Sequence, residues 1–127
     1  MISRVMGSYQ NDDPTVSEAL RRMADLAEGM AEAFRAGDRE RVIRVLRKHW
    51  IYQQGLDPGM VTPEMHSLEA ALGRQALAGK AAGAGAGGSM FFLVSDPGLA
   101  RQAAERAGAR VLPFRWAPRG VTVEELP

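Results

Sequence analysis

The stretch that decides the fold runs from Lys80 to Val94 and reads Lys-Ala-Ala-Gly-Ala-Gly-Ala-Gly-Gly-Ser-Met-Phe-Phe-Leu-Val. Ten of the eleven residues from Ala78 to Gly88 are Gly or Ala, and a strongly apolar run follows at once. Because glycine reaches positive φ and has no Cβ, such a loop lets another group approach its backbone closely. Successive exposed N–H groups in a loop of this kind can form a concave nest for an anion, typically a phosphate.

Two known nucleotide-binding motifs are excluded by their context. Gly83, Gly85 and Gly88 have the spacing G-x-G-x-x-G, but the dinucleotide-binding motif needs a helix after its glycines. Here Met90–Val94 follows, and this short, aromatic-rich run predicts a buried strand. A Walker A loop ends in Gly-Lys-Ser/Thr, whereas Lys80 precedes the glycines. Two interpretations remain open on spacing alone: a flexible or closely packed turn, and a phosphate-cradling loop.

Upstream of this stretch, the sequence predicts a short lead and a long first helix. The lead comprises residues 1–12 and is expected to be extended at Ile2–Val5. Asp13 can cap a helix over Pro14–Ala36, because proline fits the first helical position, and Gly37 ends it. The apolar stripe expected on the inner side of this helix is Val16, Leu20, Met23, Ala27, Met30 and Phe34.

Two further helices complete the upstream half. Asp38 can cap a second helix from Arg39 to about Gln53, and the short break before it predicts an antiparallel helical hairpin. The inner side of this second helix is expected to carry Val42, Ile43, Leu46 and Trp50. Thr62-Pro63-Glu64 then opens a third helix, which we expect to run toward Ala78.

Downstream of the apolar run, a helix and two strands are predicted. Asp96-Pro97 begins a fourth helix that reaches about Ala107 and ends at Gly108. Alternation over Arg110–Trp116 predicts a strand, and Val121 with Val123 forms a final short one. The strand's apolar face is expected to carry Leu112, Phe114 and Trp116. The predicted fold class is therefore α+β, an antiparallel sheet with helices packed on one face.

Composition bounds the class of protein. A chain of 127 residues suits a single domain spanning 1–127. The formal net charge of +1 gives no indication of a nucleic-acid surface or an anionic membrane as partner. The absence of cysteine excludes disulfides and thiolate catalysis, and is compatible with a cytoplasmic address. No apolar run approaches the ~18 residues of a membrane span, and no signal-peptide pattern opens the chain, so we expect a cytoplasmic protein.

The remaining inventory of reactive groups is short. No nucleophile-elbow motif is present, and the paired acidic residues are explained as helix caps. His49 has no partner at ligand spacing, so we interpret it as structural or surface. We therefore predict neither catalytic nor metal-binding residues. What remains is the glycine loop, Lys80 before it, Ser89 after it, and Arg4 near the start of the chain.

The pattern of the glycine loop closely resembles the third motif of the GHMP kinases. Gly79-Lys80, then Gly83-Ala84-Gly85-Ala86-Gly87-Gly88 and an apolar strand carry this resemblance. The family includes galactokinases, homoserine kinases, mevalonate kinases and heptose-phosphate kinases. Three other segments also resemble this family. Ile2-Ser3-Arg4 is similar to the entry to the C-terminal domain, and Leu56 through Pro63 to Leu68 is similar to the lead into the helix before the glycines. Leu112-Pro113-Phe114-Arg115 with Gly120 is similar to the closing hairpin of the heptose-phosphate and fucose kinase branch. Nearly the whole chain is covered, but it resembles only the C-terminal half of such a kinase.

The resemblance implies a ferredoxin-like variant of the α+β fold. It implies the C-terminal domain of an ATP-dependent sugar or sugar-phosphate kinase, without the N-terminal ATP-binding domain. Such a domain would be inactive unless an N-terminal kinase domain on a separate chain joined it. ATP and magnesium are implied for the complete kinase, and neither is expected in this chain alone. The residues implied to bind substrate or phosphate are Lys80, Gly83, Ala84, Gly85, Ala86, Gly87, Gly88, Ser89 and Arg4.

Two further expectations accompany this reading. The alternative to a kinase domain is a non-catalytic ligand-binding or assembly module descended from one. A domain separated from its neighbour exposes the apolar surface that the neighbour covered, and such surfaces tend to find partners. We therefore expect a homodimer.

Overall fold

Five α-helices, one 3₁₀ turn and two β-strands form the computed structural model, which describes residues 1–125. In chain order the elements are α1 (Ile2–Gln10), α2 (Pro14–Ala36), α3 (Arg39–Gln54), α4 (Pro63–Leu72), the 3₁₀ turn Gly73–Gln75, β1 (Ala76–Ala81), β2 (Met90–Val94) and α5 (Pro97–Arg106). None of the helices described is both long enough and apolar enough to cross a membrane.

Four helices begin at the caps that the sequence predicts. The carboxylate of Asp13 accepts from the first turn of α2, and the carboxylate of Asp38 does the same for α3. The hydroxyl of Thr62 caps α4, and the carboxylate of Asp96 caps α5. Each cap satisfies backbone N–H groups that have no partner within the helix, which fixes where the helix starts.

The predicted helical hairpin is confirmed, with one correction to its inner face. Gly37 takes φ 64° and ends α2, and α3 packs back against it. The stripe expected on α2 is wrong at two positions: Ala27 is exposed and Phe34 is 69% exposed, whereas Ala33 is fully buried. The N–H of Asp38 donates to the carbonyl of Ala33, so the chain folds over this residue. The helices approach closely at the turn, and the small methyl group of Ala33 fits there.

The two strands pair as an antiparallel sheet, and α3 packs against β1. One buried cluster joins Ile43 and Leu46 of α3 to Ala78 of β1. A second buried cluster consists of Trp50, Met60, Met65 and Ala81. Burial of apolar side chains between a helix layer and a sheet layer is the driving force expected for this architecture. The predicted α+β class is therefore confirmed.

Two boundaries upstream of the glycines differ from expectation. Residues expected to be extended, Ile2–Val5, lie in α1 instead. Their apolar members recur with helical spacing into the next turn, but the segment is short and the signal is weak. The third helix ends at Leu72 rather than running toward Ala78, because Gly73 takes φ 49° and breaks it. The residues after the 3₁₀ turn are then free to form β1.

The two strands predicted after α5 are not formed. Gly108 ends the helix region at φ 81°, as expected, but residues 109–125 contain neither helix nor strand. Arg110–Trp116 has strand-like alternation, yet a strand needs a neighbouring ladder, and no described strand pairs with it. The closing hairpin expected from Leu112 to Val123 is therefore absent from this fold, and the sheet of the described residues has two strands.

Candidate functional site

The glycine loop, Ala82–Ser89, connects β1 to β2 in a left-handed conformation. The N–H of Ala82 donates to the carbonyl of Ser89 over 2.9 Å and closes its base. Positive φ values occur at Gly83 (75°), Gly85 (77°), Ala86 (58°), Gly87 (111°) and Gly88 (76°). Left-handed backbone is costly for residues with a Cβ, so this path requires a glycine-rich sequence.

Two hydrogen bonds hold the glycine loop against the rest of the chain. The N–H of Ala86 donates to the carbonyl of Met60 over 2.8 Å. The side-chain Nε2 of Gln53 donates to the carbonyl of Gly83 over 3.2 Å. A Cβ placed on Gly85 would overlap the sulfur of Met60, so the approach is close as well as bonded. The loop is therefore a packed structure rather than a loosely tethered turn.

The glycine loop nevertheless keeps a free surface. Ala82, Gly83, Ala84, Ala86, Gly88 and Ser89 are exposed. Within residues 1–125, neither the N–H of Gly87 nor that of Gly88 donates a hydrogen bond to a protein group. Consecutive backbone N–H groups in strained, left-handed loops are the element from which anion-binding nests are built. The geometry is thus compatible with a phosphate group bound at Gly87 and Gly88.

The turn that carries Met60 is fixed by a buried carboxylate. Asp57 is 5% exposed, and its Oδ1 accepts from the N–H of Gly59 over 2.7 Å. Arg4 donates two hydrogen bonds to the same carboxylate, from Nε to Oδ2 over 2.8 Å and from Nη2 to Oδ1 over 3.0 Å. These bonds, first the one from Arg4 and then the one from Gly59, lower the pKa of Asp57 to about 2. The ionised side chain therefore ties α1 to the turn beneath the glycine loop.

The structure does not bring Arg4 to the glycine loop itself. Its guanidinium lies on Asp57 and lines an open cleft of about 610 Å³ together with Ser8 and Thr15. No residue of Ala82–Ser89 is among those that line this cleft. A direct contact between Arg4 and a phosphate at the loop stays a prediction, and its observed contact is with the supporting turn.

Lys80 lies two residues before the glycine loop, in β1 and opposite Phe91. It is half-buried, and this burial lowers its pKa. His49 of α3 lies near enough for the positive charge of Lys80 to act on it. The pKa of His49 is lowered first by burial and second by that charge. The buried Nδ1 of His49 has no hydrogen-bond partner among the described residues. This environment fits the structural interpretation of His49.

Three supporting residues were not predicted from the sequence. Asp57 lies two positions before Gly59, and an acidic residue at this spacing is a signal for a side chain that bonds the turn. Gln53 and Met60 carried no such signal, because their role depends on the path of the distant glycine loop. The described His, Asp and Glu residues form no group of three that could hold a metal ion.

Comparison with known proteins adds one finding. Residues 30–112 match the family model described as GHMP kinases C terminal, which is well over half of the chain. The matched region begins within α2 and includes α3, α4, both strands, the glycine loop and α5. No curated protein and no solved structure matches the chain.

Proposed function

Because the chain belongs to the GHMP kinase family and carries that family's C-terminal domain, we propose that it forms one half of an ATP-dependent sugar or sugar-phosphate kinase. The observation that supports this is the glycine loop: it is held in place by Met60 and Gln53, while the N–H groups of Gly87 and Gly88 stay available. Within the family we favour the branch of galactokinases, heptose-phosphate kinases and fucose kinases, on the resemblance of Leu112-Pro113-Phe114-Arg115.

In this proposal the chain contributes positioning and electrostatic stabilisation. Phosphoryl transfer depends almost entirely on these two effects, since charge spreads over the oxygens of the transferring group. The N–H groups of Gly87 and Gly88 would donate to phosphate oxygens, and Lys80 would supply a positive charge at the start of the loop. Burial lowers the pKa of Lys80, and an anion bound beside its ammonium group would raise that pKa again.

The rest of the reaction belongs to a partner in this proposal. ATP with magnesium supplies the phosphoryl group and neutralises its charge when bound. We place both on an N-terminal kinase domain carried by a separate chain, because residues 30–112 match the C-terminal domain of the family. The acceptor is the hydroxyl group of a sugar or sugar phosphate, and we place the reaction in the cytoplasm.

An NMR titration tests the site. Uniformly ¹⁵N-labelled protein is titrated with inorganic phosphate, then with magnesium ATP, and then with galactose 1-phosphate. We expect the largest amide shifts at Gly83–Ser89 for at least one of these probes. A Lys80→Met variant should bind the same probe more weakly, whereas an Arg101→Met variant, changed on an exposed residue of α5, should bind unchanged. Shifts spread over the surface, or none in the loop at millimolar probe, would overturn the site.

A second candidate function is a non-catalytic ligand-binding or assembly module. It is favoured by one observation: the loop is held by bonds within this chain, so anion binding needs no partner. The two candidate functions are distinguished by mixing the protein with an N-terminal GHMP kinase domain, ATP and a sugar, and measuring phosphorylation of the sugar. Phosphorylation that neither component performs alone supports the kinase half. Loop-centred binding without turnover in any mixture supports the module.

A further inference from the structure

The C-terminal segment, which we define as residues 109–125, is apolar, exposed and without regular structure. Its largest apolar side chains are mostly in solvent: Leu112 (48% exposed), Phe114 (76%), Trp116 (88%), Val121 (98%) and Val123 (88%). The rings of Phe114 and Trp116 contact each other edge to face, with centroids 5.5 Å apart. Large exposed apolar patches on soluble proteins mark interaction sites, and the pair of Phe114 and Trp116 is such a group in this segment.

Among the described residues, one edge of β2 has no partner strand. In the described residues β2 pairs with β1 and with no other strand. The sequence of β2, Met90–Val94, contains no charge, proline or glycine. Natural proteins protect edge strands with such residues, because an exposed apolar edge is a template for another strand. Phe91 in the middle of β2 is 46% exposed.

We propose that Arg110–Trp116 of one copy pairs as a strand with the free edge of β2 in a second copy, reciprocally. The segment alternates apolar and other residues as a strand does, and its length exceeds that of β2. Pro113 is accepted in an edge strand, which the added strand would be. The connection from α5 is short, and Gly108 at φ 81° directs the chain away from the helix. Short hinges of this kind favour exchange of an element between copies.

The area that the exchange could bury approaches what a stable dimer needs. Phe114 and Trp116 can together bury roughly 300–500 Å², since aromatic side chains bury about 150–250 Å² each. Reciprocal exchange doubles this area and adds Leu112, the covered face of β2 and the hinge. The total then approaches the roughly 1,200–2,000 Å² of stable interfaces. Return of the segment to β2 of its own chain would bury the same groups once and leave a monomer. This inference does not depend on the proposed kinase function.

Single cysteines test the exchange, because the chain has none of its own. Phe91→Cys is mixed in turn with Leu112→Cys, Phe114→Cys and Trp116→Cys, each in the full chain, under mild oxidation after partial unfolding and refolding together. We expect disulfide-linked pairs of the two different variants in at least one mixture. In the control, Phe91→Cys is replaced by Leu99→Cys, which changes an exposed leucine on α5 outside the C-terminal segment. This control should give no excess of disulfide-linked pairs of the two different variants.

Light scattering provides the second measurement. The unmodified protein should have twice its chain mass of 13.8 kDa, and Trp116→Glu should reduce it to a monomer while Leu99→Glu leaves the dimer intact. A monomer at the highest attainable concentration overturns the proposal. Linkage within one chain of a Phe91→Cys, Phe114→Cys double variant also overturns it, in favour of return to the same chain. Dimers that persist in Trp116→Glu with no selective cross-link would likewise reject the exchange.

Discussion

The N–H of Ala86 donates to the carbonyl oxygen of Met60 over 2.8 Å, and this bond joins the glycine loop to the turn after α3. The N–H of Met60 in turn donates to the carbonyl of Asp57, whose carboxylate is held by Arg4. A continuous set of bonds therefore runs from α1 through the turn to the loop. The conformation of the loop depends on residues far from it in sequence.

The close approach at Gly85 predicts different outcomes for two glycine substitutions. Gly85 and Gly88 have nearly equal φ, 77° and 76°, so an alanine at either carries the same left-handed strain of about 1–2 kcal/mol. A Cβ at Gly85 also overlaps Met60, whereas nothing lies within 4 Å of one at Gly88. Overpacking adds typically about 1–3 kcal/mol. We expect Gly85→Ala to lower the free energy of unfolding, measured with urea, by more than Gly88→Ala does. Equal losses would show that the contact with Met60 is not tight.

The elements that could be predicted are those specified by nearby residues. Asp13, Asp38 and Asp96 cap their helices through bonds within one turn, and Gly37 ends α2 by its own backbone freedom. The fold class follows from such local signals together with apolar periodicity. The glycine run likewise marks the loop that carries the candidate site.

The elements that could not be predicted depend on distant partners. Alternation over Arg110–Trp116 predicts a strand that residues 109–125 do not form, because pairing needs a neighbouring ladder and sequence does not reveal whether one is free. The support of the glycine loop by Gln53 has the same origin, since it joins residues 30 apart in the chain. Arg4 is predicted from its place in the entry segment that resembles the family, whereas its contact with Asp57 depends on the packing of α1 on the turn.

Replacing Gln53 should separate loop order from stability. Its Nε2 bonds the carbonyl of Gly83, while its buried Oε1 has no partner among the described residues. Gln53→Leu removes the bond to Gly83, worth about 0.5–1.5 kcal/mol, and a long contact of Nε2 with the sulfur of Met60, but it also removes an unsatisfied buried oxygen, so the net change should be small. The loop should nevertheless become more mobile. ¹⁵N relaxation is expected to show lower order parameters at Gly83 and Ala84 with unchanged values in α2. Unchanged order at Gly83 would show that Met60 alone holds the loop.

Asp57 should make the protein sensitive to strong acid. Its folded-state pKa, about 2, lies below the ordinary value of 3.8, so the unfolded chain binds a proton more readily than the native one. The stabilisation is fully present above about pH 4 and is lost as the pH falls toward 2. Urea midpoints measured from pH 7 down to pH 2 should show this decline. In Asp57→Asn the part of the decline that belongs to this carboxylate should disappear.

Two further variants test the source of that effect. Arg4→Met leaves the buried carboxylate with fewer donors, so it should raise the folded-state pKa of Asp57 toward 3.8 and make the acid decline smaller, because the size of the decline follows the gap between the unfolded-state and folded-state pKa values. Asp25→Asn changes an exposed acid on α2 and should leave the decline as it is. If Asp57→Asn and Asp25→Asn gave the same acid profile as the unmodified protein, the pair between Arg4 and Asp57 would not be the acid-sensitive contact.

His49 should impose a second loss of stability at milder pH. Burial, and secondarily the charge of Lys80, lowers its pKa below 6.5, so the unfolded chain takes up a proton more readily as the pH falls through that value. The stabilisation is full above about pH 6.5, the ordinary histidine value, and declines as the pH falls below it, so its loss begins at milder pH than that of Asp57. His49→Phe removes the titrating group and the unpartnered Nδ1, and should flatten the profile of urea midpoints between pH 7 and pH 5 without lowering stability at pH 7. His66→Gln changes the other histidine, which is exposed on α4, and should preserve the decline. A decline that survives in His49→Phe but vanishes in His66→Gln would show that His66, not the buried His49, causes the loss of stability.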